Sequence, residues 1–113
     1  MLRVIQTCVL SIRALEIQEG TSEAPTQSFD FKDAFWLATM GGAKALKLDD
    51  DTGSFAEGKC FDAIIVDVNA GNNVVLSERD TPIDVFQKTI HNADNRNFAK
   101  VLVKGVIVYE NAV

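Results

Sequence analysis

One stretch constrains this chain more than any other: Phe61-Asp62-Ala63-Ile64-Ile65-Val66-Asp67, entered through Gly53-Ser54-Phe55-Ala56-Glu57-Gly58-Lys59. An apolar, partly β-branched run bounded by aspartates reads as a buried strand. Its approach fits most of a nucleotide phosphate loop, G-x-x-x-x-G-K-[ST], and the run ending in Asp67 imitates the metal-binding strand that accompanies one. Context rejects that reading. A phosphate loop follows a strand and opens a helix, whose N-terminal amides face the phosphates. Here Asp49, Asp50 and Asp51 precede the loop and would repel phosphate, and a strand follows it. Cys60 stands where a magnesium-binding hydroxyl is needed, and a thiol is a poor ligand for that hard cation. The stretch is a glycine-punctuated turn feeding a strand, with Phe55 expected to plug the core.

At 113 residues the chain is long enough for one small domain. Its formal net charge of −5 argues against nucleic acid and against anionic membrane surfaces. Cys8 and Cys60 are far apart and form no C-x-x-C pair, so free thiols in a reducing compartment are expected. Arg3 and the apolar residues from Val4 to Ile12 have the outline of a signal peptide. Gln6, Thr7 and Ser11 interrupt that run, and no small-residue cleavage site follows it. No run reaches the ~18 apolar residues of a membrane span.

In order, Leu2 to Ile17 reads as a helix. Leu2, Ile5, Val9 and Ile12 recur at helical spacing, Cys8 and Leu15 widen the stripe, and Val4 and Leu10 point to burial on several sides. No capping residue precedes it, which reads as a cut through a larger domain. Glu19 to Ser28 is a surface loop. Asp30 is a good N-cap for a helix from Phe31 to Met40, with Phe31, Ala34, Phe35 and Ala38 inward and Trp36 and Leu37 broadening that face. Gly41-Gly42 should break or kink this helix, with tight packing there, before a short one from Ala43 to Leu48. Asn69 to Asn73 is a polar turn, and Val74 to Leu76 is a possible short strand. Thr81-Pro82 starts a helix over 82–91, with Ile83, Phe86 and Ile90 on one face. Phe98–Val103 and Val106–Tyr109 form a hairpin through Lys104-Gly105.

The candidate chemical groups are few. Asp49, Asp50 and Asp51 lack the spacing of a calcium loop and read as a solvated acidic turn. His91 is the only histidine, whereas a catalytic zinc site takes about three protein ligands. Near a helix end it is expected at the surface. A Cys60–His91 nucleophile pair has no supporting motif. Asp62 and Asp67 flank the apolar strand as strand-end polar residues. Val113 could be a C-terminal peptide ligand, although Asn111 stands where such ligands offer Ser or Thr.

Three blocks carry a family resemblance over nearly the whole chain: Phe35-Trp36-Leu37-Ala38-Thr39-Met40-Gly41-Gly42-Ala43-Lys44-Ala45-Leu46, Gly53-Ser54-Phe55-Ala56-Glu57-Gly58-Lys59-Cys60-Phe61-Asp62-Ala63-Ile64, and Asp94-Asn95-Arg96-Asn97-Phe98-Ala99-Lys100-Val101-Leu102-Val103-Lys104-Gly105. On these the chain resembles the C-terminal quarter of guanine deaminases, members of the zinc-dependent amidohydrolase superfamily. Phe61 before Asp62 and the Asn95-Arg96-Asn97 turn favour that branch. Lys47 departs from it, where a glycine is usual, and residues 69–79 look shorter. The resemblance implies an α/β fold in which residues 1–48 are the last helices around a TIM-type barrel. Residues 49–113 would then be part of a small β-sandwich, with one helix near 82–91. It implies hydrolysis of guanine to xanthine and ammonia, zinc as the cofactor, a homodimer and a cytoplasmic location for the complete enzyme. It places the metal ligands and the acid/base group upstream of Met1. No catalytic, cofactor-binding or metal-binding residue is therefore expected on this chain, and no zinc on the chain alone. The alternative is a non-catalytic module that self-associates or binds a partner through unpaired strand edges.

Overall fold

The computed structural model describes residues 1–18 and 29–111. The loop expected over 19–28 and Val113, considered as a C-terminal peptide ligand, lie outside the described residues. Helix α1 (Leu2–Gln18) leads to α2 (Phe31–Trp36), a π-helical turn (Leu37–Gly41) and α3 (Gly42–Ala45). Strand β1 (Ala63–Val66), helix α4 (Pro82–Asn92) and strands β2 (Phe98–Val103) and β3 (Val106–Glu110) follow. The strands form one antiparallel sheet in the order β1-β2-β3, so the architecture is mixed helix and sheet.

The helical layer is held by a small apolar core. Ile5 and Val9 of α1 meet Phe31 and Ala34 of α2 and Ile90 of α4, with Leu2, Phe29, Ala38 and Phe86 packed around them. Rings lock α2 to α4: Phe86 lies 5.9 Å from Phe31 and 5.1 Å, edge-on, from Phe35. The expectation that α1 is buried on several sides is not met. One stripe is buried, and Val4, Leu10, Leu15 and Ile17 face outward. On α4, Ile83 is likewise exposed, and the inner face is carried by Phe86 and Ile90.

The expected caps form. The Asp30 carboxylate accepts from the Lys32 and Asp33 amides, while Asp33 reaches back to the Asp30 amide. Thr81 and Asp84 make the same reciprocal box at the start of α4, with Pro82 at its first position. Gly41 and Gly42 do not break the helix. Both keep right-handed helical angles, and the chain widens through a π turn instead. The helix ends earlier than predicted, at Ala45, with Leu46 as its C-cap. Leu48 N–H reaches the Ala43 carbonyl (2.9 Å) and Lys47 N–H reaches the Lys44 carbonyl (3.1 Å), the paired bonds of a Schellman cap. Its left-handed position is Lys47, with φ 56°. A glycine is the ordinary occupant there because it has no Cβ to clash.

The sheet corrects the reading of its central strand. β1 is an edge strand of four residues, and Ile64 and Ile65 remain 47% and 49% exposed. An apolar run implies coverage on both faces, but among the described residues no element packs deeply over β1. Phe55 does not plug the core either: it is 77% exposed and leans on Phe61, ring centres 5.5 Å apart. Val74 to Leu76 form no strand; Val74 is buried and Val75 exposed. The β2–β3 hairpin turns through Lys104 (φ 51°) and Gly105 (φ 77°), the two left-handed residues of a type I′ turn. Ile64, Val101 and Tyr109 pair across one face of the sheet, and Val103 and Val106 pair on the same side. That face has no charge. The opposite face carries Ile65, Lys100 and Glu110, with Lys100 and Glu110 paired at 2.7 Å.

Lys47→Gly is expected to stabilise the chain by about 1 kcal/mol, because the left-handed penalty outweighs the extra freedom glycine gives the unfolded state. The urea midpoint should rise at unchanged slope; an unchanged or lower midpoint would show that the Lys47 side chain compensates for its backbone.

Candidate functional site

The phosphate-loop imitation resolves into structural bonds. Gly53 and Gly58 both have positive φ, at 93° and 85°. A Cβ on Gly53 would sit 2.8 Å from Ala43 Cβ and 3.1 Å from Met40 Sδ, so the loop presses on the π turn and α3. The Lys59 ammonium donates to the Asp49 carbonyl, and Cys60 N–H donates to the Asp51 carbonyl at 2.8 Å. These are donors a bound phosphate would need, and each already has a partner within the chain.

Asp62 is a clasp. Its Oδ1 accepts from Lys104 N–H (2.7 Å), its Oδ2 accepts from Thr52 Oγ1 (3.2 Å), and the neighbouring Phe61 carbonyl accepts from Gly105 N–H (2.8 Å). One carboxylate thereby joins the glycine loop to the hairpin turn. Asp67, at the other end of β1, accepts from Asn69 N–H. The two aspartates serve as strand-end anchors, and their partners differ.

His91 lies in the last turn of α4. Its Nδ1 is 2.8 Å from the Gln87 carbonyl, and its ring meets Phe31 edge-on. Cys60 sits in the loop before β1, with neighbours of its own, and both cysteines are free thiols. Among the described residues no three His, Cys, Asp or Glu side chains come together closely enough to hold a metal ion. The only imidazole is engaged by a backbone carbonyl, and Asp49 to Asp51 line a solvated turn. The described residues therefore present no grouping that fits a zinc centre.

The polar site the structure does contain is centred on Asn97, which has no exposed surface. Its Nδ2 donates to the carbonyls of Asp67 (3.1 Å) and Ala70 (2.6 Å). Its Oδ1 accepts from Asn73 Nδ2 (2.8 Å) and Asp94 N–H (3.0 Å). Its backbone carbonyl accepts from Asp67 N–H (2.8 Å). The amide is satisfied on every side, which a buried polar group requires. Asn73 extends the knot to the Asn92 carbonyl at the end of α4, and Gln6 of α1 donates to the Ile90 carbonyl at 2.9 Å. Side-chain amides thus meet carbonyls that a helix end leaves open. A Cβ on Gly71 (φ 76°) would come 3.1 Å from Asn73 Oδ1 and 3.3 Å from Arg96 Cβ, so the turn must approach closely. Asp94 caps the short turn Asn95–Asn97, and Arg96 grips the Asp94 carboxylate through Nε and Nη2. Sequence reasoning picked out Asn95-Arg96-Asn97 as a marker of resemblance and missed its structural role. Gln6 was read only as an interruption of an apolar run.

Three carboxylates are held below the ordinary aspartate value of 3.8. Asp94 is lowered by the Arg96 side chain and then by the Arg96 amide. Asp80 is lowered by the Lys88 side chain and then by the Ser77 amide, and Asp84 by the Thr81 hydroxyl and then by the Thr81 amide.

Asn97→Ala is expected to cost about 3 kcal/mol, since it removes the partner of two carbonyls and two donors at a part-buried site. Asn97→Asp tests the cause at constant shape: a carboxylate cannot donate to the Asp67 and Ala70 carbonyls, so it too should lower the denaturation midpoint markedly. A near-neutral isostere would show that packing, not hydrogen bonding, holds the knot. The depressed carboxylates contribute to the acid limit. Their stabilisation is complete above the ordinary aspartate value and is lost as pH falls through their lower folded values. Denaturation curves taken from about pH 6 down to about pH 2 should lose stability only below the ordinary aspartate range, and Asp94→Asn should flatten that loss.

Comparison with known proteins extends over nearly the whole chain. The profile of the Amidohydrolase family matches residues 3–108. The probable guanine deaminase of Schizosaccharomyces pombe is 41% identical over 86 residues, which cover 74% of this chain and 16% of that protein. Human guanine deaminase is 33% identical over 128 residues, covering 100% of this chain and 26% of its own length. Since this chain has 113 residues, the human protein carries insertions relative to it. The solved structure of E. coli guanine deaminase superposes with a TM-score of 0.70 at 28% identity, over 96% of this chain and 24% of that one. The chain spans about a quarter or less of the length of these relatives. With the family profile matched over residues 3–108 and the fold superposed over 96% of its length, the chain belongs to the amidohydrolase family.

Proposed function

We propose that this chain serves the hydrolytic deamination of guanine to xanthine and ammonia, and that its own residues supply scaffold to that reaction. The carrying observation is similarity to guanine deaminases along the whole chain, from human and from E. coli. In this reading residues 1–48 are helices lying against a barrel, and residues 49–113 are part of a small β-sandwich. The apolar side chains that α1 leaves exposed on either side of its buried stripe (Val4 and Leu15 on one, Leu10 on the other) and the uncharged face of the sheet support both placements, since each is apolar surface suited to packing. Guanine is the substrate and zinc the metal of the complete enzyme, which acts as a homodimer in the cytoplasm. No step of the reaction is assigned to a side chain of this chain, because no grouping among the described residues fits the metal.

Two measurements test this together. The chain by itself, demetallated and resupplied with zinc, should retain no stoichiometric metal and form no xanthine from guanine. Metal-dependent turnover by the chain alone would overturn the scaffold assignment. The chain transplanted in place of the matching segment of E. coli guanine deaminase should give a soluble, zinc-containing enzyme active on guanine. A soluble, zinc-loaded transplant inert toward guanine would overturn the functional assignment.

A second reading, a non-catalytic module that self-associates, is favoured by the uncovered Ile64–Val101–Tyr109 face. Light scattering distinguishes it: a stable dimer of the isolated chain, dissociated by Val106→Lys, is its expected signature, and a monomer would exclude it.

A further inference from the structure

We draw no further inference here: the strongest candidate, the uncharged face of the three-stranded sheet formed by Ile64, Val101, Val103, Val106 and Tyr109, is an unpartnered apolar surface, and nothing in the structure shows what covers it.

Discussion

The Asn97 side chain is the constraint on which the arrangement of helices and sheet depends. A buried amide is costly unless each donor and acceptor is matched, and here all are. The partners come from the end of β1, from the turn after it, and from the residues before the short Asn95–Asn97 turn. Only one position satisfies them all, so the amide sets how β2 leaves α4 and where β1 ends. Asn73 and Gln6 continue the same device. Each donates to a carbonyl at the C-terminal end of α4, so that one helix end is tied to the sheet side and to α1 at once. Hydrophobic burial holds the helices together but has no direction. The amides supply the direction.

This division explains what could be read from the chain alone. Asp30, Thr81-Pro82 and Lys104-Gly105 were legible because each signal acts within four residues, through a cap or a turn that needs no distant partner. Asn97 was not legible in its role. Its partners lie up to 30 residues away, and nothing beside it announces burial. The apolar run of β1 misled for a related reason. Hydrophobicity records a preference for coverage, and does not say which segment provides it. Gly41-Gly42 misled in one respect: paired glycines are read as a stop with tight packing, and here only the tight packing is found. A Cβ on Gly41 would sit 2.9 Å from the Trp36 ring, while Gly53 presses on Ala43 and Met40.

The imitation of a phosphate loop shows why the ingredients of a motif are weaker evidence than their direction. Glycines at positive φ and a lysine before a strand are the same materials in both cases. In a phosphate site the amides and the ammonium point into open space, towards an anion. Here the ammonium of Lys59 and the amide of Cys60 point back at carbonyls of the acidic turn. The acidic turn is therefore part of the fold, with its backbone oxygens bonded inward while the carboxylates of Asp50 and Asp51 remain in solvent.

The blocks that carry the family resemblance coincide with these constraints. The first holds the π turn and Gly41, the second holds Gly53, Gly58 and the Asp62 clasp, and the third holds Asp94, Asn97 and the Lys104-Gly105 turn. Lys47, the departure noted from sequence, falls on a left-handed residue where glycine would be the natural choice, so the departure itself marks the same backbone. Likeness at such positions is likeness of geometry: each residue is there because few others satisfy that dihedral, contact or hydrogen bond. It transmits a fold reliably and a chemistry only by association, since unrelated reactions can share a scaffold. That is why the deamination proposed for this chain is attached to its relatives and not to any side chain it contains, and why a transplant into a relative tests it more directly than mutation of His91 or Asp62.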